Sequence, residues 1–146
     1  MVTENTQDIS HLANAGPCID FMFAYTEHDV DKMLSYCDPT GTVHFKPLGE
    51  DGRGQLGELG RHLWSALVDA FPDLVTRMDS SQATDDTIRC QVLIEGTQAK
   101  DFAGIKAQGK RFSSDHIFVF RLNESGKIDQ LEVEWDHADF SRQLQA

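Results

Sequence analysis

An α+β fold is predicted by three features of the sequence. Helical apolar spacing is confined to the first half, β-branched and aromatic residues dominate from Leu74 onward, and turn-forming clusters divide that second half into strand-length segments. Helices first and a strand meander afterwards argue against a wound α/β sheet, in which the two alternate. The 146 residues suffice for one core. The expected organisation is a flexible segment over residues 1–9 and a single domain over 10–146.

The elements are expected in the following order. From Ile9 to Thr26 the positions Leu12, Ile19 and Phe23, with Phe21 and Tyr25 beside them, recur at helical spacing, and Gly16-Pro17 is placed to divide that helix in two. A short helix follows, capped by Asp29, with Val30, Met33 and Leu34 inward and Asp38-Pro39-Thr40-Gly41 ending it as a turn. Thr42–Phe45 reads as the first strand. Gly49, Gly52, Gly54 and Gly57 read as a loose loop and lack the Gly-x-x-x-x-Gly-Lys spacing of a phosphate cradle. Leu59, Leu63 and Leu67, with Trp64 and Phe71, outline a third helix that stops before Pro72. Strands follow over Leu74–Asp79, Thr87–Thr97, Lys110–Leu122 and Ile128–Trp135, and Phe140–Gln145 is expected to add a helical turn.

Composition narrows the function. The formal net charge of -11, from 24 acidic and 13 basic residues, comes with no stripe of Lys or Arg, so nucleic acid is not an expected partner. No apolar run reaches the roughly 18 residues of a membrane span. The first residues lack the basic and apolar regions of a secretory signal, and a cytoplasmic location is expected. Cys18, Cys37 and Cys90 are odd in number and far apart, which suits reduced core thiols. His137 and Asp139 follow Asp136, but no second cluster has metal-ligand spacing, so no metal is expected.

Several strings, taken in order, resemble the SnoaL-like polyketide cyclases of the nuclear transport factor 2-like superfamily across residues 17–145. They are Ala70-Phe71-Pro72-Asp73-Leu74, Glu95-Gly96-Thr97, Phe102 through Lys110, Gly126-Lys127-Ile128, and Asp136 with Arg142-Gln143-Leu144. The resemblance implies a cone-shaped (cystatin-like) fold, with N-terminal helices packed in a curved, mainly antiparallel sheet around a pocket. It also implies a bacterial protein that forms dimers or larger assemblies. Cyclases of this family close rings by an intramolecular aldol reaction that requires no metal or organic cofactor.

Ketosteroid isomerases are similar to Phe21–Phe45 and Asp115–Trp135, and the comparison is informative where it fails. The positions matching that family's catalytic tyrosine, base aspartate and oxyanion-hole aspartic acid are Phe21, Phe45 and Phe118, while the matching tryptophan, Trp135, is retained. A phenyl ring neither moves a proton nor donates to an oxyanion, so isomerisation by that route is not expected.

If Phe118 points into the cone, strand alternation sends Ser114, His116 and Phe120 with it, and Leu131, Val133 and Trp135 line the neighbouring strand. With Phe21 and Tyr25 on the first helix, and Leu63 and Trp64 on the third, they would enclose an apolar cavity for a small hydrophobic ligand. Phe45 belongs to the same lining.

His116 has two readings, a desolvated acid/base group or a neutral core histidine bonded to a backbone carbonyl. Tyr25 could orient a ligand carbonyl through its hydroxyl, or simply pack with its tip in water. Asp136 could orient a ligand at the mouth, and the alternative is a helix cap. His44 and Asp115 have the outward parity. Two functions remain open: acid/base catalysis of cyclase or isomerase type on a hydrophobic carbonyl compound, or a non-catalytic ligand-binding or assembly module with a degenerate pocket. A homodimer is expected through the outer face of the sheet, because Ile117 and Val119 make strand 110–122 apolar on both sides.

Overall fold

The computed structural model describes residues 16–84 and 86–145. The expected flexible segment 1–9 and the first piece of the leading helix lie outside the described residues. Helix α1 (Gly16–Thr26) has Pro17 in its first turn, where a missing N–H removes no intrahelical bond, and it buries Cys18, Phe21, Met22, Ala24 and Tyr25. Helix α2 (Val30–Ser35) starts at Asp29, whose carboxylate accepts the Lys32 backbone N–H at 3.1 Å, and it buries Met33. Between them His28 takes a left-handed conformation, φ 61°, and its Nε2 donates to the Leu74 carbonyl at 2.6 Å. That bond ties the helical corner to the start of the later strands.

Six strands form one curved sheet in the order β2-β1-β6-β5-β4-β3. They are β1 (Cys37–Phe45), β2 (Arg53–Gln55), β3 (Val75–Thr84), β4 (Thr87–Thr97), β5 (Arg111–Leu122) and β6 (Ile128–Glu134). All neighbours are antiparallel except β1 and β6, which run parallel with Phe45 beside Val133. The register sets Val92 opposite His116, Cys90 opposite Phe118, and Phe118 opposite Val133, so one face carries the buried side chains. Helix α3 (Arg61–Ala70) lays Trp64 on that face, in edge contact with Phe21 at 5.3 Å and Phe45 at 5.6 Å. All three cysteines are buried free thiols. No described helix is long and apolar enough to cross a membrane.

The structure departs from the sequence reading at four places, one being β3, which runs on to Thr84, past the expected end at Asp79. Asp38-Pro39-Thr40-Gly41 does not end a helix as a turn but lies within β1, which advances from Cys37 to Thr42 while β6 advances only from Ile128 to Gln130. The turn chemistry is nevertheless present: Asp38 Oδ1 accepts both the backbone N–H and the hydroxyl of Thr40, at 3.0 and 2.9 Å, and the strand absorbs it as a bulge. The glycine-rich stretch is not a loose loop throughout, since it holds a 3₁₀ segment (Lys46–Gly52), the short strand β2 and a π-type turn (Leu56–Gly60). At the end of the chain, the expected helical turn is a full helix, α4 (His137–Gln145). It is fastened to β5 by Gln143, whose amide accepts from Ser113 N at 2.8 Å and donates to Ser113 O at 3.0 Å, while Phe140 and Leu144 are buried.

The bulge carries a steric condition. A Cβ at Gly41 would lie 2.5 Å from the Asp129 carbonyl oxygen, a backbone atom of β6 that cannot swing aside, whereas one at Gly16 meets nothing within 4 Å among the described residues. Gly41→Ala is expected to destabilise by about 2 kcal/mol, as an overpacked interior does, and Gly16→Ala by much less. Urea unfolding of the two variants checks this. Equal midpoints would mean that β1 and β6 separate more easily than their pairing implies.

Candidate functional site

The inward faces of β4, β5 and β6 meet α1 and α3 around a small cavity of about 50 Å³. That is room for a few waters, well below the roughly 300 Å³ at which ligand pockets begin. Tyr25 of α1, Phe45 of β1, and Leu63 and Trp64 of α3 form one side. His116 and Phe118 of β5, Val133 of β6 and Trp135 just beyond it form another. The turn Phe102-Ala103-Gly104-Ile105 contributes Phe102 and Ala103. It closes on itself through Phe102 N to Ile105 O at 3.0 Å and Ile105 N to Phe102 O at 2.8 Å, with φ of 51° at Ala103 and 77° at Gly104. Buried Gln98 steadies this turn by donating from Nε2 to Ile105 O at 2.8 Å and Lys100 O at 3.0 Å. Leu63, Phe102, Trp135 and His137 are partly exposed and Ala103 is open to solvent, so the mouth lies among α3, the turn and α4.

Three residues anticipated at the site do not reach the cavity. Phe21 lies behind the lining, in edge contact with Trp64 and, at 5.5 Å, with Phe120. Leu131 has the inward parity but pairs with Phe120, one position deeper, and is fully buried there. Asp136 is exposed and accepts the Asp139 backbone N–H on Oδ1 at 3.0 Å, capping α4.

Sequence reasoning passed over other lining residues. Phe112 shares the parity of His116 and could have been read from it; Phe140 follows from α4 being a full helix. His137 was weighed only as a metal ligand, although the cap at Asp136 makes it the first helical residue beside Trp135.

Polar groups in the lining are few. His116 is 9 % exposed and its ring stacks on Trp135 at 5.3 Å. Its Nδ1 is 3.3 Å from the Ser114 carbonyl. A carbonyl can only accept, so Nδ1 carries the proton and Nε2 keeps its lone pair. Desolvation pushes the His116 pKa down to about 4, and the bond to Ser114 opposes this only in part. Tyr25 is 1 % exposed, and burial raises the pKa of its phenol, keeping it a protonated donor. The Trp135 indole N–H donates to His137 Nδ1 at 3.2 Å. Among the described residues, no Lys, Arg, Asp or Glu lines the cavity.

His116 couples stability to pH. Its folded pKa lies below the unfolded value of 6.5, so the unfolded chain binds more protons between pH 6.5 and about 4. The stability conferred by keeping it neutral is complete above 6.5 and is lost as pH falls through this window. Compared with His116→Asn, the wild type is expected to lose up to roughly 3 kcal/mol more between pH 6.5 and 4. Parallel curves from urea unfolding at stepped pH would show that the imidazole is solvated.

The sequence pattern of the SnoaL-like polyketide cyclases matches residues 19–145. TsrD from Streptomyces laurentii is 27% identical over 92% of this chain and 96% of its own, with a TM-score of 0.77. IdmH, a candidate polyketide cyclase from Streptomyces antibioticus, is 20% identical over 91% and 99%, with a TM-score of 0.73. A nuclear transport factor 2-like protein from Burkholderia thailandensis is 18% identical over 91% and 98%, with a TM-score of 0.75. The last two likenesses show the fold alone. No curated protein matches the chain. Because the family pattern runs from within α1 to the end of α4, the chain belongs to the SnoaL-like polyketide cyclase family.

Proposed function

We propose that the protein is an acid/base enzyme of cyclase or isomerase type acting on a hydrophobic, polyketide-like carbonyl compound, with His116 as the base. The observation that carries this reading is the His116 ring itself, buried against Trp135, with Nδ1–H engaged by Ser114 and Nε2 without a partner among the described residues. A neutral imidazole at pH 7 can accept a proton. In an aldol closure Nε2 takes the proton from a carbon beside a carbonyl, and the electron pair moves to that oxygen. The enolate carbon then bonds to a second carbonyl carbon of the same molecule, whose C=O π pair moves onto its own oxygen, the acceptor of a hydrogen bond from the Tyr25 hydroxyl. The new alkoxide takes the proton back from His116, so one C–H bond and one C=O π bond are broken and one C–C and one O–H bond are formed.

The lining supports an uncharged ligand with a flat ring body. Phe45, Trp64, Phe118 and Trp135 offer stacking area, while an acid would enter without a cation to pair with it. Such a ligand needs more room than 50 Å³, so the rings and turn at the mouth must move to admit it. The same volume favours a second reading, a non-catalytic assembly module whose interior is filled by its own side chains.

Turnover separates the two. His116→Asn keeps hydrogen-bonding capacity without the titration, and at pH 7 it should slow turnover of a substrate by at least about 100-fold while changing binding far less. Undiminished turnover would remove His116 from the mechanism. Under the assembly reading, aromatic polyketides and steroids would produce neither turnover nor a thermal shift.

The outer face of the sheet supports a homodimer. Leu93, Ile117 and Val119 are half-buried there, next to Arg89, Gln91 and Asp115 across the strand pairs. Light scattering at micromolar concentration should give twice 16.4 kDa, and Ile117→Lys should return the protein to that mass. A monomeric wild type contradicts the proposal.

A further inference from the structure

We infer that His137 is a second ligand-contacting residue of the cavity, an Nε2–H donor to a ligand carbonyl oxygen while His116 faces the adjoining carbon. This rests on the acid/base reading above and names the group that reading leaves open, the one that selects a carbonyl over a hydrocarbon of the same shape.

The argument begins with Trp135. Its indole N–H can only donate, and it is 3.2 Å from His137 Nδ1, so that nitrogen must present a lone pair and the ring proton must sit on Nε2. His137 Nε2 has no hydrogen-bond partner among the described residues, and the ring lines the cavity. Its orientation is held on two sides. It stacks on Phe140 at 5.7 Å and 22°, and it meets Trp135 edge to face at 5.9 Å and 74°.

His116 is held in the opposite tautomer. Its proton is on Nδ1, bonded to the Ser114 carbonyl, and its ring stacks on Trp135 at 5.3 Å. One tryptophan therefore carries two imidazoles, one offering a lone pair and one offering an N–H. A carbonyl with an adjacent C–H presents the complementary set, a proton on carbon and lone pairs on oxygen. The Trp135 N–H is already engaged, so it does not compete for the ligand. The other unengaged donors of the described lining residues are the Tyr25 hydroxyl and the Trp64 indole N–H, and the experiment must separate both from His137.

Two flat probes of nearly equal size make the test, 2-acetylnaphthalene with a carbonyl acceptor and 2-ethylnaphthalene without one. Their dissociation constants are measured at pH 7 by quenching of tryptophan fluorescence and by calorimetry. The wild type should bind the ketone about fivefold more tightly than the hydrocarbon, the effect of one neutral hydrogen bond. His137→Phe should bind the two equally, His137→Gln should keep the preference through its amide N–H, and Tyr25→Phe and Trp64→Phe should keep it as well. If His137→Phe does not fold, His137→Ala takes its place, since it leaves the Asp136 cap intact. A preference that survives removal of His137 but is lost in Tyr25→Phe or Trp64→Phe overturns the inference and leaves the acid/base reading standing. Equal binding of both probes by the wild type overturns the inference alone. If the wild type binds neither probe, the ligand pocket and the inference fall together.

Discussion

Strand β5 is hydrogen-bonded on both edges, to β4 from Arg111 through Arg121 and to β6 from Ile117 through Leu122. Side chains along it alternate in direction, so a slip of one residue would turn Phe112, Ser114, His116, Phe118 and Phe120 outward. The same slip would drive Arg111, Asp115 and Arg121 into the interior, where charges without partners are costly. Two-sided pairing thus locks one register, and the rest of the molecule is arranged on the face it exposes. Tyr25 rests on Phe118 at 6.3 Å, Phe21 on Phe120, and Trp64 bridges Phe21 to Phe45. Helix α4 reaches the same strand through Gln143 and Ser113.

The interior built on that face is largely apolar, and its polar groups behave accordingly. Burial lowers the His116 pKa and raises that of the Tyr25 phenol, so both are neutral near pH 7 and each keeps a hydrogen-bonding function. The thiols answer to the same cause. Burial raises the pKa of Cys18 and Cys90 and pushes that of Cys37 up to about 12, which leaves them protonated and poor nucleophiles. Gln98 illustrates the cost of such an interior: its Nε2 serves two carbonyls while its Oε1 is buried without a partner among the described residues.

Much of this was legible because it depends on short-range periodicity. The bounds of β4 coincide with the run Thr87–Thr97, and the parity of Phe118 correctly assigned inward directions to Ser114, His116, Phe120, Leu131 and Val133. Depth was not legible. Parity cannot tell that Leu131 and Phe21 sit behind other rings, since that depends on how α1 and α3 lie across the sheet. Nor could local rules separate a turn from a bulge at Asp38–Gly41. The Asx chemistry is the same in both, and only pairing with distant β6 keeps the chain extended. His137 escaped for a related reason: its tautomer and aim follow from one contact with Trp135 and one with Phe140, which a one-dimensional pattern does not contain.

The parallel pairing of β1 with β6 also bears on how the chain is made. Strands β4 through β6 each pair with the strand before them in sequence, so the meander β3 to β6 can close as it is synthesised. Strand β1 cannot, because apart from the three residues of β2 its partner is Ile128–Val133, near the end of the chain. Pairing elements so far apart must overcome a large loop-closure entropy before any contact compensates it. On the ribosome, Phe21 and Phe45 therefore stay without Phe120 and Trp135, their neighbours from the later strands, until β6 has emerged, and the apolar half of the cone is the part most in need of a chaperone during synthesis.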